Sequence, residues 1–321
     1  MHPISHTLRA IVATLLLAGL FVSCNKSKEE ATPKSASDLI QEDNSFSLLR
    51  AAVLRANFAD ALKAANLTIF APNDDAFKAA GFADVASINA LPVATVEQIL
   101  KYHVFNGLVK STAPQLGTNT PVQSVGGRTA YITKTTSGST TGIFINGALV
   151  TKADQEVANG VVHTIDRVLL PPAPSILSAL QFDPTNFSLV VAAINRVPAL
   201  AVQLSSTAST GQFITIFVPD NAAFAAAGSP LTTLAAINGA SLTTLSSVLG
   251  YHVTSGQIFS NQLAAVQLTT LNPTSAKLTV VITNNAPTIK GNQNTTAATI
   301  KRANILANNG VIHVVSQVLR P

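Results

Sequence analysis

The sequence predicts two copies of one α+β domain in tandem, and three observations carry that prediction. One stretch occurs twice, as Asn159-Gly160-Val161-Val162-His163-Thr164-Ile165-Asp166-Arg167-Val168-Leu169 and as Asn309-Gly310-Val311-Ile312-His313-Val314-Val315-Ser316-Gln317-Val318-Leu319, with prolines following at Pro171 and Pro321. Earlier boxes repeat in the same order. Phe46-Ser47-Leu48 matches Phe187-Ser188-Leu189, Thr68-Ile69-Phe70-Ala71-Pro72 matches Thr215-Ile216-Phe217-Val218-Pro219, and Tyr102-His103 matches Tyr251-His252. Within each copy the apolar period changes from helical early to strand-like late, the order expected of an α+β domain. The repeat is far too long for a solenoid.

Each copy is expected to open with helices. Phe46, Leu49, Val53 and Leu54 fall on one helical face, as do Leu189, Ala193 and Ile194. A strand follows over 67–71 and 214–218. Pro72 and Pro219 break it, and Asn73 and Asp220 are placed to cap the next helix. Asp74 and Asp75 add negative charge to that helix's first turn, which its dipole favours. Val96, Ile99, Leu100 and His103 return at helix spacing, matched by Leu242, Leu245, Leu249 and His252, with Gly107 and Gly256 expected to end each segment. Residues 122–150 alternate β-branched residues with the turns Gly126-Gly127 and Asn146-Gly147, a pattern of hairpins. The repeated box closes each copy: Asn-Gly is a turn signal and the run after it is a strand. One face of that strand is predicted to carry Val161, His163, Ile165 and Leu169, and in the second copy Val311, His313, Val315 and Leu319. Between the copies lies Pro171-Pro172-Ala173-Pro174, a short and stiff linker.

Residues 1–23 carry Arg9 and then an apolar run from Ala10 to Val22, shorter than the ~20 residues a spanning helix needs. The segment reads as a secretory signal peptide. It leads to Ser23 and Cys24, the one cysteine of the sequence, and so resembles a bacterial lipoprotein signal with Cys24 as the acylated residue. Phe21 departs from the usual leucine, and an ordinary signal peptide with an incidental cysteine is the alternative. Residues 24–35 are polar and aperiodic and read as a lipidated flexible tether. Lys26-Ser27-Lys28-Glu29-Glu30 resembles the charged export signals of Bacteroidetes surface lipoproteins; a plain hydrophilic spacer is the other reading. The expected domains are then 36–171 and 172–321, in a chain exported and lipid-anchored to the cell envelope, at the outer membrane or cell surface.

Chemistry is sparse. The formal net charge is +5 but only 11% of residues are charged, and no Lys/Arg cluster forms a footprint for nucleic acid. No Gly-x-Ser-x-Gly elbow, phosphate loop or dinucleotide fingerprint occurs. His103, His163, His252 and His313 all sit in the repeated boxes on apolar faces. As metal ligands, two per copy are too few. Asp154 or Asp166 could complete a set in the first copy, but Asn304 and Ser316 stand in their places in the second. The competing reading is a neutral, buried histidine bonded to backbone. The expectation is a non-enzyme without cofactor or metal.

In this order the boxes resemble the fasciclin-like domain, and two sets cover roughly 36–321. The resemblance implies, for each copy, a β-sandwich-like wedge with helices packed along one side. Asn159, Gly160, His163 and Asp166, with Asn309, Gly310 and His313, then belong to the family's structural core motif; Ser316 departs from its usual Asp. Fasciclin-like domains are generally extracellular modules for contact between cells and matrix. In some animal relatives the Tyr-His region is linked to integrin binding, which maps to Tyr102, His103, Tyr251 and His252, with core packing as the competing role. The resemblance thus implies a surface-anchored adhesion or matrix-binding protein whose partners are extracellular matrix, a cell-surface protein or a polysaccharide, besides the membrane through its lipid. A polysaccharide-binding surface lipoprotein is the alternative, although the sequence has no Trp and three Tyr for sugar stacking. A hydrolase would need a deep pocket with converging acids.

Overall fold

Proline, asparagine and glycine set the switches between elements, and the apolar runs between them set the layers. A computed structural model describes residues 33–321 apart from 138–139, 208–211, 227–228, 230, 273, 275 and 285. The signal segment 1–23, Cys24 and the tether up to residue 32 lie outside the described residues. The first copy runs α1 (Ala36–Glu42), α2 (Ser47–Arg55), β1 (Leu67–Pro72), α3 (Asp74–Ala79), α4 (Val85–Asn89), α5 (Val93–Tyr102), β2 (Val104–Asn106), β3 (Asn119–Gln123), β4 (Thr129–Ser137), β5 (Thr140–Ile145), β6 (Ala148–Val157) and β7 (Gly160–Ile165). The second repeats it as α6 (Ile176–Gln181), α7 (Pro184–Asn195), α8 (Pro198–Ser205), β8 (Ile214–Pro219), α9 (Asn221–Ala225), α10 (Leu234–Gly239), α11 (Leu242–Tyr251), β9 (Val253–Ser255), β10 (Gln267–Thr269), β11 (Lys277–Thr283), β12 (Ala286–Lys290), β13 (Ala298–Ala307) and β14 (Gly310–Val315).

Each copy builds one seven-stranded sheet, in the order β2-β1-β7-β6-β5-β4-β3 and its counterpart β9-β8-β14-β13-β12-β11-β10. Among the strands of the described residues, only β1 with β7 and β8 with β14 run parallel. The closing strand of the copy therefore lies beside its first. The ends of the sheet then approach each other, as Val125 N–H donates to Val104 O at 2.8 Å and Leu271 N–H to Val253 O at 2.8 Å. The result is a nearly closed wedge with helices against one face. A core lies on either side of the central pair: Val162 and Ile69 pack under α2, α4 and α5, while Phe70, Tyr102, Ile132 and Ile165 fill the inside of the curl. The second copy repeats this with Ile312 and Ile216 on the helix side and Phe217, Tyr251 and Val315 inside.

The caps form where the sequence places them. Asn73 and Asp220 accept from Ala76 N–H and Ala223 N–H, each at 2.8 Å. Asp74 does more than charge a first turn, for its carboxylate accepts from Ser47 Oγ at 2.6 Å and Leu48 N–H at 2.8 Å, tying α3 to the start of α2. Three local expectations are corrected. Leu54 is 66% and Leu242 55% exposed, because each lies at the edge of its helix's apolar face rather than within it. Gly107 and Gly256 follow the short strands β2 and β9, not the helices; α5 and α11 stop at His103 and His252, and the glycines supply φ +91° and +93° after the strand. Leu169 and Leu319 are not on the closing strands, which end at Ile165 and Val315.

Lys34–Pro321 forms one unit containing both copies. The linker joins the second sheet, as Ala173 N–H donates to Leu306 O at 3.0 Å and Asn308 N–H to Ala173 O at 2.9 Å. Tyr131 of the first copy packs against Phe213 and Phe259 of the second, with ring centroids 6.0 and 6.3 Å away. Asn119 Nδ2 donates to Gln257 O at 2.7 Å and Asn304 Nδ2 to Gly147 O at 3.4 Å.

Candidate functional site

The repeated boxes converge on the central strand pair. Asn159 closes the turn into β7 and uses its whole side chain: Oδ1 accepts from Ala36 N–H at 2.9 Å, at the start of α1, and Nδ2 donates to Leu62 O and Ala64 O at 2.7 and 2.9 Å. Asn309 does the same with Ile176 N–H and Leu204 O, at 2.8 and 3.0 Å. The neighbouring glycines are required by space, since a Cβ on Gly160 would stand 2.0 Å from Leu67 O and one on Gly310 1.9 Å from Ile214 O. Asp166 Oδ1 accepts from Leu149 N–H at 2.7 Å. Ser316, which departs from the family pattern, accepts from Thr299 N–H through Oγ at 2.9 Å, so the shorter side chain makes the equivalent bond.

The four histidines of the repeated boxes fall into two pairs of opposite tautomer. In His103, Nδ1 faces Ile99 O at 2.8 Å and so carries the proton, while Nε2 accepts from Leu169 N–H at 2.9 Å. His252 repeats this with Val248 O at 2.7 Å and Leu319 N–H at 2.9 Å. Each therefore fastens the chain leaving the closing strand to the end of a helix. In His163 the proton is on Nε2, 2.8 Å from Val109 O, and Nδ1 accepts from Asp154 N–H at 3.1 Å. His313 faces Ile258 O at 2.9 Å and Asn304 N–H at 3.4 Å. These rings stack on Phe70 and Phe217, with centroids 5.0 and 5.5 Å apart. Burial pushes His103, His252 and His313 down to about 4, against the opposing pull of their carbonyl bonds. Burial also lowers His163, opposed by Val109 O and by the Asp154 carboxylate 4.0 Å away.

Asp154 and Asn304 occupy bulges in β6 and β13 at φ +53° and +63°. Asp154 accepts from Ser111 N–H at 2.9 Å and from Ser111 Oγ. Burial raises its carboxyl, but the two Ser111 bonds, together with the nearby His163 and Lys110, hold it below the usual range. With both nitrogens of every ring engaged, no lone pair faces a metal, and among the described residues no group of three or more His, Cys, Asp or Glu could hold one. Tyr102 and Tyr251 are buried inside the curl; Tyr102 Oη donates to Thr129 O and accepts from Asn146 Nδ2, each at 2.9 Å, and Tyr251 Oη donates to Lys277 O at 2.7 Å. The Tyr-His motifs thus present no side chain to a partner.

The accessible site lies where the copies meet. A groove of about 920 Å³ runs between the chain leaving β7, the linker, the start of α7 and β13. Leu170, Phe182, Arg167 and Arg302 line it with Asn146 and Asn304. Phe182 is 91% exposed. Sequence reasoning missed this site, because its parts come from four separated segments. The available signal was the mismatch between copies at Phe182: it directly precedes the capping Asp183, where the first copy has Glu42 before its capping Asp43.

Comparison with known proteins gives this geometry a family. The Fasciclin domain model matches residues 44–171 and 185–321. A fasciclin-like arabinogalactan protein of Arthroderma benhamiae is 30% identical over 177 residues, 55% of this chain and 37% of that one. Protein sll1483 of Synechocystis sp. is 36% identical over 143 residues, 40% of this chain and 69% of that one. The chain thus spans little more than a third of the fungal relative. A solved FAS1 domain pair from the insect cell adhesion molecule Fasciclin I aligns over 85% of this chain and 97% of that one, at 22% identity and a TM-score of 0.40. With the family model matched twice, over most of its length, this chain belongs to the Fasciclin domain family.

Proposed function

We propose that the chain is an adhesion-type protein, held at the cell surface through Cys24, whose paired modules bind extracellular matrix or a cell-surface partner. The observation that carries this reading is the pair of family modules joined in one unit, with the histidines, tyrosines and asparagines of the repeated boxes committed to internal hydrogen bonds. Contact then falls to the outer surface and to the groove between the copies. Two modules on one chain gain effective concentration when both meet an extended target. With charges sparse on that surface, retention is expected to fall only modestly with salt, because screening acts on the few exposed charges. Beads coated with the chain should be retained on cells or isolated matrix to a similar extent at low and at high ionic strength. Beads that adhere to no such surface at either salt would end the adhesion reading.

Anchoring has its own test. No helix among the described residues is long and apolar enough to cross a membrane, and Cys24 is the one cysteine of the sequence. Acyl chains on that cysteine would supply stable attachment. A Cys24→Ser variant is expected to leave the membrane fraction or to stall as unprocessed precursor, read by fractionation and intact mass. Processed variant that stays with the membrane would refute the anchor.

A further inference from the structure

The groove between the copies has a more specific chemistry than general stickiness. Phe182 is 91% and Leu170 60% exposed, and both line it. A phenylalanine left in water forgoes the free energy of burying its ring, and grouped apolar side chains at a surface mark an interaction site. On the same local framework the first copy carries Glu42, so the helix end itself does not demand an aromatic there.

Most polar groups of the groove are already engaged. Asn146 Oδ1 accepts from Tyr131 N–H at 2.8 Å while its Nδ2 serves Tyr102. Asn304 accepts from Ser260 N–H and donates to Ser260 Oγ, both at 2.8 Å. Arg302 pairs with Asp183 at 3.2 Å and lies 5.3 Å over the Phe187 ring. The Arg167 guanidinium, exposed at the rim, makes no hydrogen bond or ion pair with any described residue. The charged lining is therefore Arg167, Arg302 and Asp183, one positive charge in excess. Along the floor, β12 is in register with β13 only at Thr299 and Ala298, and the linker joins β13 only near Ala307. Between those points the side of β13 that bears Arg302 to Ile305 has no strand partner among the described residues.

We infer that this groove binds an extended acidic segment of a protein, whose apolar side chains cover Phe182 and Leu170 and whose carboxylate pairs with Arg167. The inference rests on the adhesion reading and deepens it, by making the partner a polypeptide. An extended chain can add to an open strand edge while alternate side chains enter the groove. A bidentate guanidinium–carboxylate pair fixes its register. A polysaccharide fits this lining poorly, since sugars take several hydrogen bonds and the charged lining offers Arg167 as its unengaged donor.

The test uses the full chain and a fluorescent peptide of four Glu-Val repeats, read by anisotropy. Saturable binding is expected, weakened at least tenfold by Phe182→Glu and by Arg167→Glu, with melting temperatures unchanged because both side chains are exposed. A peptide of four Lys-Val repeats should not bind, and oligogalacturonate should not displace the acidic peptide. The inference is overturned if the wild-type chain shows no saturable binding, if both variants bind as the wild type does, or if oligogalacturonate displaces the peptide at equal concentration. Coated beads separate the two levels of the argument. Variants whose beads adhere like wild type sink the groove and leave adhesion standing, whereas wild-type beads that adhere to nothing sink adhesion itself.

Discussion

Acidification from pH 6.5 to 4 is expected to unfold the second copy before the first. His252 and His313 are both buried in it, and burial pushes each down to about 4 from an ordinary 6.5. Above pH 6.5 the rings are neutral in folded and unfolded chains alike, so they impose no pH dependence. Between 6.5 and 4 the unfolded chain takes up protons that the folded chain refuses. Stability therefore falls as pH falls through this window, and the loss from these groups is complete below about 4. At about 1.36 kcal/mol per pKa unit, each ring costs about 3 kcal/mol and the pair roughly 6–7 kcal/mol. That is a large part of the roughly 5–15 kcal/mol that holds a typical domain. In the first copy only His103 is pushed to about 4, while burial lowers His163 against the bond to Val109 O and, after it, the Asp154 carboxylate. Hydrogen exchange read by mass spectrometry at stepped pH resolves the copies separately. Protection lost first in β8 and β14 supports the account; equal protection in both copies down to about pH 4 contradicts it. Exchanging the bulge residue, Asp154→Asn, should bring the first copy's acid sensitivity closer to that of the second.

Replacing Gly310 or Gly160 with alanine is expected to cost roughly 3 kcal/mol or more. A Cβ on Gly310 meets Ile214 O at 1.9 Å and Ile176 Cδ1 at 3.1 Å, and one on Gly160 meets Leu67 O at 2.0 Å. The closest contacts are with backbone of the parallel partner strand, which cannot rotate away as a side chain can. Relief requires separating β14 from β8, or β7 from β1, at the first pair of their registers. The neighbouring Asn309 or Asn159 would then lose its hold on the opening helix of the copy. Gly239, where an added Cβ would meet nothing within 4 Å, is the control: Gly239→Ala should be neutral or slightly stabilising. Thermal melts of the three variants decide the matter, and a Gly310→Ala chain as stable as Gly239→Ala would show the close approach to be unimportant.

The duplication, the helix-then-strand order and the caps at Asn73 and Asp220 were legible because each is written in neighbouring residues. A proline that ends a strand and a short polar residue that caps a helix act over three or four positions, and they act alike in both copies. The alternation that placed Val161, His163 and Ile165 on one face was equally local. Ile165 of that face turns into the curl of the sheet while Val162 packs under the helices.

What the sequence by itself determined about this protein is its two-copy plan, its alternation of elements and the residues that punctuate them. The tertiary structure alone decided what covers each face and what is left uncovered. Periodicity reports that His163 and Val162 lie on opposite sides of a strand, but both sides are buried here because helices cover one and the sheet, closing on itself from far along the chain, encloses the other. The same long-range closure sets the opposite tautomers of His103 and His163, since each ring's partners include carbonyls and N–H groups from other segments. It also brings Arg167, Leu170, Phe182 and Arg302 to one groove. No local rule unites them, because binding surfaces are made by chain segments meeting in space, and their side chains need satisfy no period at all.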